Sequence, residues 1–217
     1  MTRWSLLRGL YAITDSHLIP AAKLTDQVAA AIRGGAAVIQ YRDKSSSSEQ
    51  RQQQAAALAR LCHNHGIPLI INDDVELAAT VGARGVHLGK SDSTLRSARK
   101  RLGAEAIIGV SCYNEFERAV EAASEGADYV AFGRFFPSQS KPDAVTANPA
   151  LLRRARQCLS VPVVAIGGIT SENGQPLVTA GAQLLAAIHG VFGQADTEAA
   201  ARRYAELFTA YQNETEC

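Results

Sequence analysis

The chain has 217 residues, 47% of them apolar and 20% charged, with 22 Lys and Arg against 21 Asp and Glu for a net charge of +1. This balance is that of an ordinary globular protein and excludes a whole-molecule attraction to nucleic acid or to an anionic membrane, so any strong positive potential must be local. The length suits one α/β domain over 1–217, with its core at about 9–211 and a polar C-terminal tail.

Apolar runs rich in β-branched residues recur at 9–14, 37–41, 68–71, 85–88, 106–111, 129–133, 161–166 and 184–188, and each has the length of a short buried strand. Helical periodicity fills the intervals. Phe116, Ala119, Val120 and Ala123 fall at i, i+3, i+4 and i+7, and Tyr204, Leu207, Phe208 and Tyr211 repeat the pattern in the last helix. The serine run 45–48 reads as a loop entering a helix at 49–63, with one serine as N-cap. Gly34-Gly35, Gly82, Gly126 and Gly181 each stand between a helix and the next strand, where a left-handed residue closes a helix. Strands that are apolar on both faces and alternate with helices imply a parallel sheet covered by helices. About eight such units favour a compact (β/α)8 TIM barrel over an open doubly wound sheet.

Cys62, Cys112, Cys158 and Cys217 show neither CxxC pairing nor zinc spacing and read as reduced thiols. The first fifteen residues lack an apolar core with a cleavage site, and no later apolar run has spanning length, so a soluble, cytoplasmic protein is expected.

In a parallel barrel the strand C-termini build the active site. The stretch 36–44, AAVIQYRDK, ends in two cations; strand alternation would set Gln40, Arg42 and Lys44 on one face and Tyr41 and Asp43 on the other. Such a row is costly to desolvate unless an anion meets it. Later runs stop at Asn72-Asp73-Asp74, at Gly89-Lys90-Ser91-Asp92, at Ser111, at Gly133 to Lys141, at Gly167-Gly168-Ile169 and at His189-Gly190. Gly167-Gly168, in the seventh unit, fits a phosphate cradle or a tight βα turn. Asp73 and Asp92 close neighbouring strands and could approach one hard cation, magnesium being suited, while Arg42, Lys44 and Lys141 approach the anion it carries. The competing role for either aspartate is a helix N-cap, the role assigned to Asp74. His63 and His65 read as partners of terminal helix carbonyls, His87 as a hydrogen-bonded barrel residue rather than a base, and Arg96, Arg99, Lys100 and Arg101 as a solvated helix face. No Ser/His/Asp arrangement or nucleophile elbow is recognisable, which argues against hydrolysis through an acyl-enzyme.

Taken in order, Gly9-Leu-Tyr-Ala-Ile-Thr-Asp15, Gln40-Tyr-Arg-Asp-Lys44, Ile71-Asn-Asp-Asp74, Gly85-Val-His-Leu-Gly-Lys-Ser-Asp92, Gly109-Val-Ser111, Gly133-Arg-Phe-Phe-Pro-Ser-Gln-Ser-Lys141 and Val164-Ala-Ile-Gly-Gly-Ile169 resemble the thiamine-phosphate synthase family. The resemblance runs from about Gly9 to Val191, with one motif for nearly every strand. It implies a (β/α)8 barrel that joins 4-amino-2-methyl-5-pyrimidinylmethyl diphosphate to 4-methyl-5-(2-phosphoethyl)thiazole with Mg2+, giving thiamine phosphate and diphosphate. By position it implies that Arg42, Lys44, Asn72 and Lys141 hold the diphosphate and that Asp73 and Asp92 bind the metal. Gln40 and Ser111 would lie beside the pyrimidine and its leaving group. Ser138, Ser140, Gly168 and the backbone around Ile188-His189 would receive the thiazole phosphate. The implied route is dissociative, so electrostatic stabilisation of the leaving group by Arg42, Lys44, Lys141 and the metal, with Ser111 beside it, replaces a strong general base.

The chain departs from the family pattern at Ser138 and Ser140, where threonines are usual, at Arg134, where proline is common, and at His189, where a small residue is common. Serine keeps the hydroxyl, and a contact made by backbone N–H at position 189 is indifferent to the side chain. Two other readings are a thiazole tautomerase of the same barrel family and a non-catalytic phosphate-binding regulatory barrel. The complete set Arg42, Lys44, Asn72, Asp73, Asp92 and Lys141 favours the synthase, because an isomerase of the thiazole alone has no use for a diphosphate and metal site. The expected partners are therefore small molecules, with no nucleic acid and no membrane, and a homo-oligomer is compatible with the sequence.

Overall fold

Each strand pairs in parallel with the next and the eighth returns to the first, so the sheet closes into a barrel. The computed structural model describes residues 7–90, 92–137 and 146–215, with side chains described through Thr209. The strands are β1 (Gly9–Ile13), β2 (Ala36–Tyr41), β3 (Leu69–Asn72), β4 (Gly85–Leu88), β5 (Ile107–Tyr113), β6 (Tyr129–Phe132), β7 (Val163–Ile166) and β8 (Leu184–Ala187). All eight predicted strands are present, with ends within two residues of expectation. The helices are α1 (Leu24–Arg33), α2 (Ser48–Asn64), α3 (Val75–Val81), α4 (Leu95–Leu102), α5 (Phe116–Ser124), α6 (Ala150–Cys158), α7 (Gln175–Thr179), α8 (His189–Phe192) and α9 (Thr197–Thr215).

Two apolar shells explain why the strands read as continuous buried runs. Val38, Ile70, Ile107, Val164 and Leu184 fill the barrel interior, while their neighbours Ile39, Ile71, Ile108 and Leu185 pack outward against the helices. A one-residue slip in any strand would exchange the two sets, so the shells hold the register that aims the polar residues at the strand ends. Around Leu7, Pro68, Pro162 and Leu184 the N-terminal end holds only a void of about 10 Å³. The predicted site residues stand at the other, C-terminal end of the strands, the mouth of the barrel.

The helix boundaries follow local chemistry. Ser47 caps α2 by accepting from Gln50 N at 3.3 Å, Asp74 caps α3 by accepting from Leu77 N at 2.9 Å, and Thr94 caps α4 by accepting from Ser97 N at 3.2 Å. Gly35, Gly82, Gly126 and Gly181 take the positive φ expected of helix-closing residues, whereas Gly34 remains helical at φ −73°.

Two expectations need correction. On α5 the buried stripe is Phe116, Ala119 and Ala122, and Val120 is exposed, because the helix turns its small residues to the barrel. Arg99 is not part of a solvated face. Its guanidinium donates to Gly103 O, Ala106 O and Gly126 O and pairs with Asp128, tying α4 to the strand that follows. No helix among the described residues is long and apolar enough to cross a membrane.

Candidate active site

The predicted row of Gln40, Arg42 and Lys44 divides into three environments. β2 stops at Tyr41, so strand alternation does not extend to Arg42 and Lys44. Gln40 is buried inside the barrel and donates from Nε2 to Tyr11 Oη at 2.7 Å, while Tyr41 points outward and donates to Gln54 Oε1 at 2.7 Å. Arg42 already has an anion, since its Nη1 lies 2.7 Å from Asp15 Oδ2. Thr14 Oγ1, accepting from Arg42 N at 2.9 Å, ties the ends of β1 and β2 together and places this pair. Lys44 is largely exposed, with Nζ 3.6 Å from Asp73 Oδ2. Between the two cations, Asp43 closes the turn by accepting from Ser45 N at 2.8 Å and Ser46 N at 3.0 Å. Burial raises the Asp43 carboxyl, but the hydrogen bonds from Ser46 and Ser45 outweigh it and hold the group below the usual carboxylate range.

Asp73 follows β3 with φ +64°, a left-handed conformation that aspartate tolerates better than most residues. With Asp74 serving as N-cap, Asp73 is turned off the helix and its carboxyl comes within hydrogen-bonding reach of Asp92. Burial and the adjacent Asp92 carboxyl raise the Asp73 pKa, against the opposing pull of Lys44 and Asn72. Asp92 is likewise not an N-cap, because Thr94 has that role; its Oδ2 accepts from Gly89 N at 2.5 Å. Asn72, the last residue of β3, completes the group. Lys44, Asn72, Asp73 and Asp92, predicted from the ends of three successive strands, thus meet at one side of the mouth.

Ser111 lies within β5 rather than at its end, at a register shift where Ser111 faces Ala131 and Tyr113 faces Phe132. A bulge of this kind re-aims a side chain. Ser111 Oγ lies 2.8 Å from His87 Nε2, and His87 Nδ1 lies 2.9 Å from Tyr129 Oη, so His87 has the hydrogen-bonded interior role expected of it. Tyr129 in turn bonds Tyr11 at 2.8 Å. Its ring stacks on His87 at 5.6 Å between centroids because Gly109, facing both residues across the ladder, presents no side chain. A Cβ there would fall 1.8 Å from Tyr129 Cζ.

On the other side of the mouth, Gly167 and Gly168 take φ +100° and +65° and press against the loop after β6, with Phe136 N donating to Gly167 O at 3.0 Å. A Cβ on Gly168 would come within 2.3 Å of Pro137 O, so close backbone approach is itself a reason for glycine here. Ile188 precedes α8, and the exposed His189 lays its ring along Gly193. Ser138, Ser140 and Lys141 lie outside the described residues.

Asp15, Tyr11 and Tyr129 were not among the predicted site residues. A signal for Asp15 existed, as a carboxylate directly after the first strand. Tyr11 and Tyr129 sit among apolar neighbours within their strands, and their pairing spans 118 residues, which no local pattern announces.

A family model described as thiamine monophosphate synthase matches residues 10–191. A thiamine-phosphate synthase of Nitrosococcus oceani is 55% identical over 207 residues, covering 95% of both chains, and that of Thioalkalivibrio sulfidiphilus is 50% identical over 202 residues, covering 93% of this chain and 96% of its own. Among solved structures, thiamine phosphate pyrophosphorylase from Pyrococcus furiosus superposes with a TM-score of 0.85 at 30% identity, over 95% of this chain and 98% of its own. With a family match over most of the barrel and relatives of this identity over nearly its whole length, the chain belongs to the thiamine monophosphate synthase family and is a transferase.

Proposed function

We propose that the chain condenses 4-amino-2-methyl-5-pyrimidinylmethyl diphosphate with 4-methyl-5-(2-phosphoethyl)thiazole to give thiamine phosphate and diphosphate, with magnesium at Asp73 and Asp92. The observation that carries this reading is the convergence of two carboxylates and Lys44 at one side of the barrel mouth. Two partly buried carboxylates held against each other repel; burial first, and the adjacent Asp92 carboxyl next, raise the Asp73 pKa, and a divalent cation would offset both. The donor set suits magnesium, since both carboxylates supply oxygen. Magnesium is characteristically held by one or two carboxylates together with substrate phosphates.

When bound, the metal would neutralise charge on the departing diphosphate. Lys44 adds positive potential beside the carboxylates, and Arg42, whose charge Asp15 balances, offers its remaining guanidinium N–H groups to the diphosphate. Asn72 steadies Asp73 and offers its amide to the diphosphate, while Ser111 lies beside the pyrimidine and its leaving group, with Gln40 behind it. The thiazole phosphate is assigned to backbone N–H groups around Gly168 and Ile188-His189, with Ser138 and Ser140; Lys141 is assigned to the diphosphate from the resemblance of its motif. Once the carbon–oxygen bond breaks, the aminopyrimidine carries the cation until the thiazole nitrogen attacks. No side chain in this scheme has to remove a proton.

The test incubates the purified protein with both substrates, with and without Mg2+, and measures thiamine phosphate and diphosphate. Both products should form in equal amounts and only with the metal. Absence of both, with interconversion of thiazole isomers, would instead establish the tautomerase.

A further inference from the structure

Behind the mouth, side chains from five strands form one unbroken hydrogen-bonded chain. It runs from Gln40 Nε2 to Tyr11 Oη at 2.7 Å, to Tyr129 Oη at 2.8 Å, to His87 Nδ1 at 2.9 Å, and from His87 Nε2 to Ser111 Oγ at 2.8 Å. Gln40, Tyr11, Tyr129 and His87 are buried, and only Ser111 at the end is partly open to the mouth.

The geometry gives this chain a direction. A hydroxyl has one hydrogen to donate, and a neutral imidazole has one ring N–H. Gln40 donates to Tyr11, so the Tyr11 hydrogen goes to Tyr129 and the Tyr129 hydrogen goes to His87 Nδ1. The ring hydrogen is then on Nε2, from which it is donated to Ser111. The hydrogen of Ser111 is left for an acceptor in the mouth. Reversing the Tyr11–Tyr129 or the Tyr129–His87 link alone leaves a buried phenol hydrogen without an acceptor in the chain, reversing the His87–Ser111 link alone leaves the ring with no N–H, and reversing all three requires the Gln40 amide to turn over. Burial also raises both phenols far above their ordinary range, so both keep their hydrogens at working pH.

We infer that Tyr11, Tyr129 and His87 are positioning residues that hold Ser111 as a hydrogen-bond donor to the oxygen of the departing diphosphate, with the direction set at Gln40. This rests on the reading of the mouth as the pyrimidine diphosphate site. As the carbon–oxygen bond breaks, its electron pair goes to that oxygen, and a donor already aimed there stabilises the growing charge without reorganising. The chain itself transfers no proton.

The test compares Tyr129→Phe, His87→Gln and His87→Leu with the wild type in the Mg2+-dependent assay, alongside melting temperatures and the imidazole ¹⁵N spectrum of His87. Tyr129→Phe should lower kcat about 10- to 100-fold with KM within about twofold, the pattern of a contact made mainly in the transition state. His87→Gln keeps an N–H within reach of Ser111 and should retain at least about tenfold more turnover than His87→Leu at matched folded fraction. The wild-type ring should be the Nε2–H tautomer, becoming a mixture in Tyr129→Phe. A wild-type Nδ1–H ring, or wild-type kcat in folded Tyr129→Phe, would overturn the inference. Should the wild type form no thiamine phosphate, the reading of the site fails separately, and the tautomer alone decides the chain. Should Tyr129→Phe not fold, the wild-type spectrum and the two His87 variants decide it.

Discussion

Asp73, the proposed metal ligand, shows what that role would cost the fold. Its φ of +64° is sparsely populated for an L-residue, and its carboxyl is pressed against that of Asp92. Neither feature serves the helix, whose N-cap is Asp74. Asp73→Asn keeps a residue that tolerates the left-handed region while removing the like charge. The metal-free variant should therefore melt higher than the wild type at neutral pH, by about 2 °C, small because the side chain is 35% exposed and the repulsion is screened. The sign with pH follows from the raised pKa. Below the ordinary value of 3.8 the carboxyl is protonated in both folded and unfolded chains and the advantage vanishes; as pH rises through the folded pKa, the wild type bears the full repulsion and the advantage is complete. Turnover should fall by at least about 100-fold. Melts at pH 3 and pH 7 with a rate assay check this, and a variant that melts lower at pH 7 would contradict the electrostatic account. Arg42 differs in kind, because its pairing with the mostly buried Asp15 ties it to the fold as well as to the site.

At the scale of the element, β5 is shaped by what it lacks. His87, Gly109 and Tyr129 stand side by side across β4, β5 and β6, and the missing side chain of Gly109 lets the Tyr129 ring lie flat toward His87. Gly109→Ala should cost about 1–3 kcal/mol through overpacking. The loss should shrink in a Tyr129→Ala background, where the ring it strikes is gone, and melts of the four proteins in that double-mutant cycle measure the coupling. Additive losses would mean that Gly109 matters for another reason. The same strands mark how far a single sequence carries. Strand positions were legible because burial on both faces makes each run apolar, and helix ends because glycines and capping side chains act within a few residues. Asp73 and Asp92 stood out as carboxylates where apolar runs stop, and the N-cap role open to either is taken by Asp74 and Thr94 instead. The Tyr11–Tyr129 and His87–Tyr129 bonds were not legible, since they join residues 118 and 42 apart and depend on the register of the closed barrel. Arg42 was read as seeking an external anion because its partner, Asp15, lies 27 residues earlier in a turn that only strand pairing brings close.

For the molecule as a whole, the two apolar shells supply stability while the mouth withholds some of it. Like charges meet at Asp73 and Asp92, and a cation bound there would favour the folded state by mass action. If the site takes magnesium together with a diphosphate, part of the cation's oxygen shell comes from the anion, and neither should bind well alone. Inorganic diphosphate with Mg2+ should therefore raise the melting temperature by more than the sum of the two separate shifts. At a hundredfold excess over Kd the linkage is about 2.7 kcal/mol, which corresponds to about 5–10 °C in a chain of this size. Asp73→Asn should abolish the excess while leaving the shift from diphosphate alone, because Lys44 and Arg42 are untouched. Thermal denaturation with each ligand singly and together reads this directly, without substrates or turnover. A purely additive shift, or an excess that survives in Asp73→Asn, would place the cation somewhere other than the carboxylate pair and leave the repulsion between Asp73 and Asp92 without a functional cause.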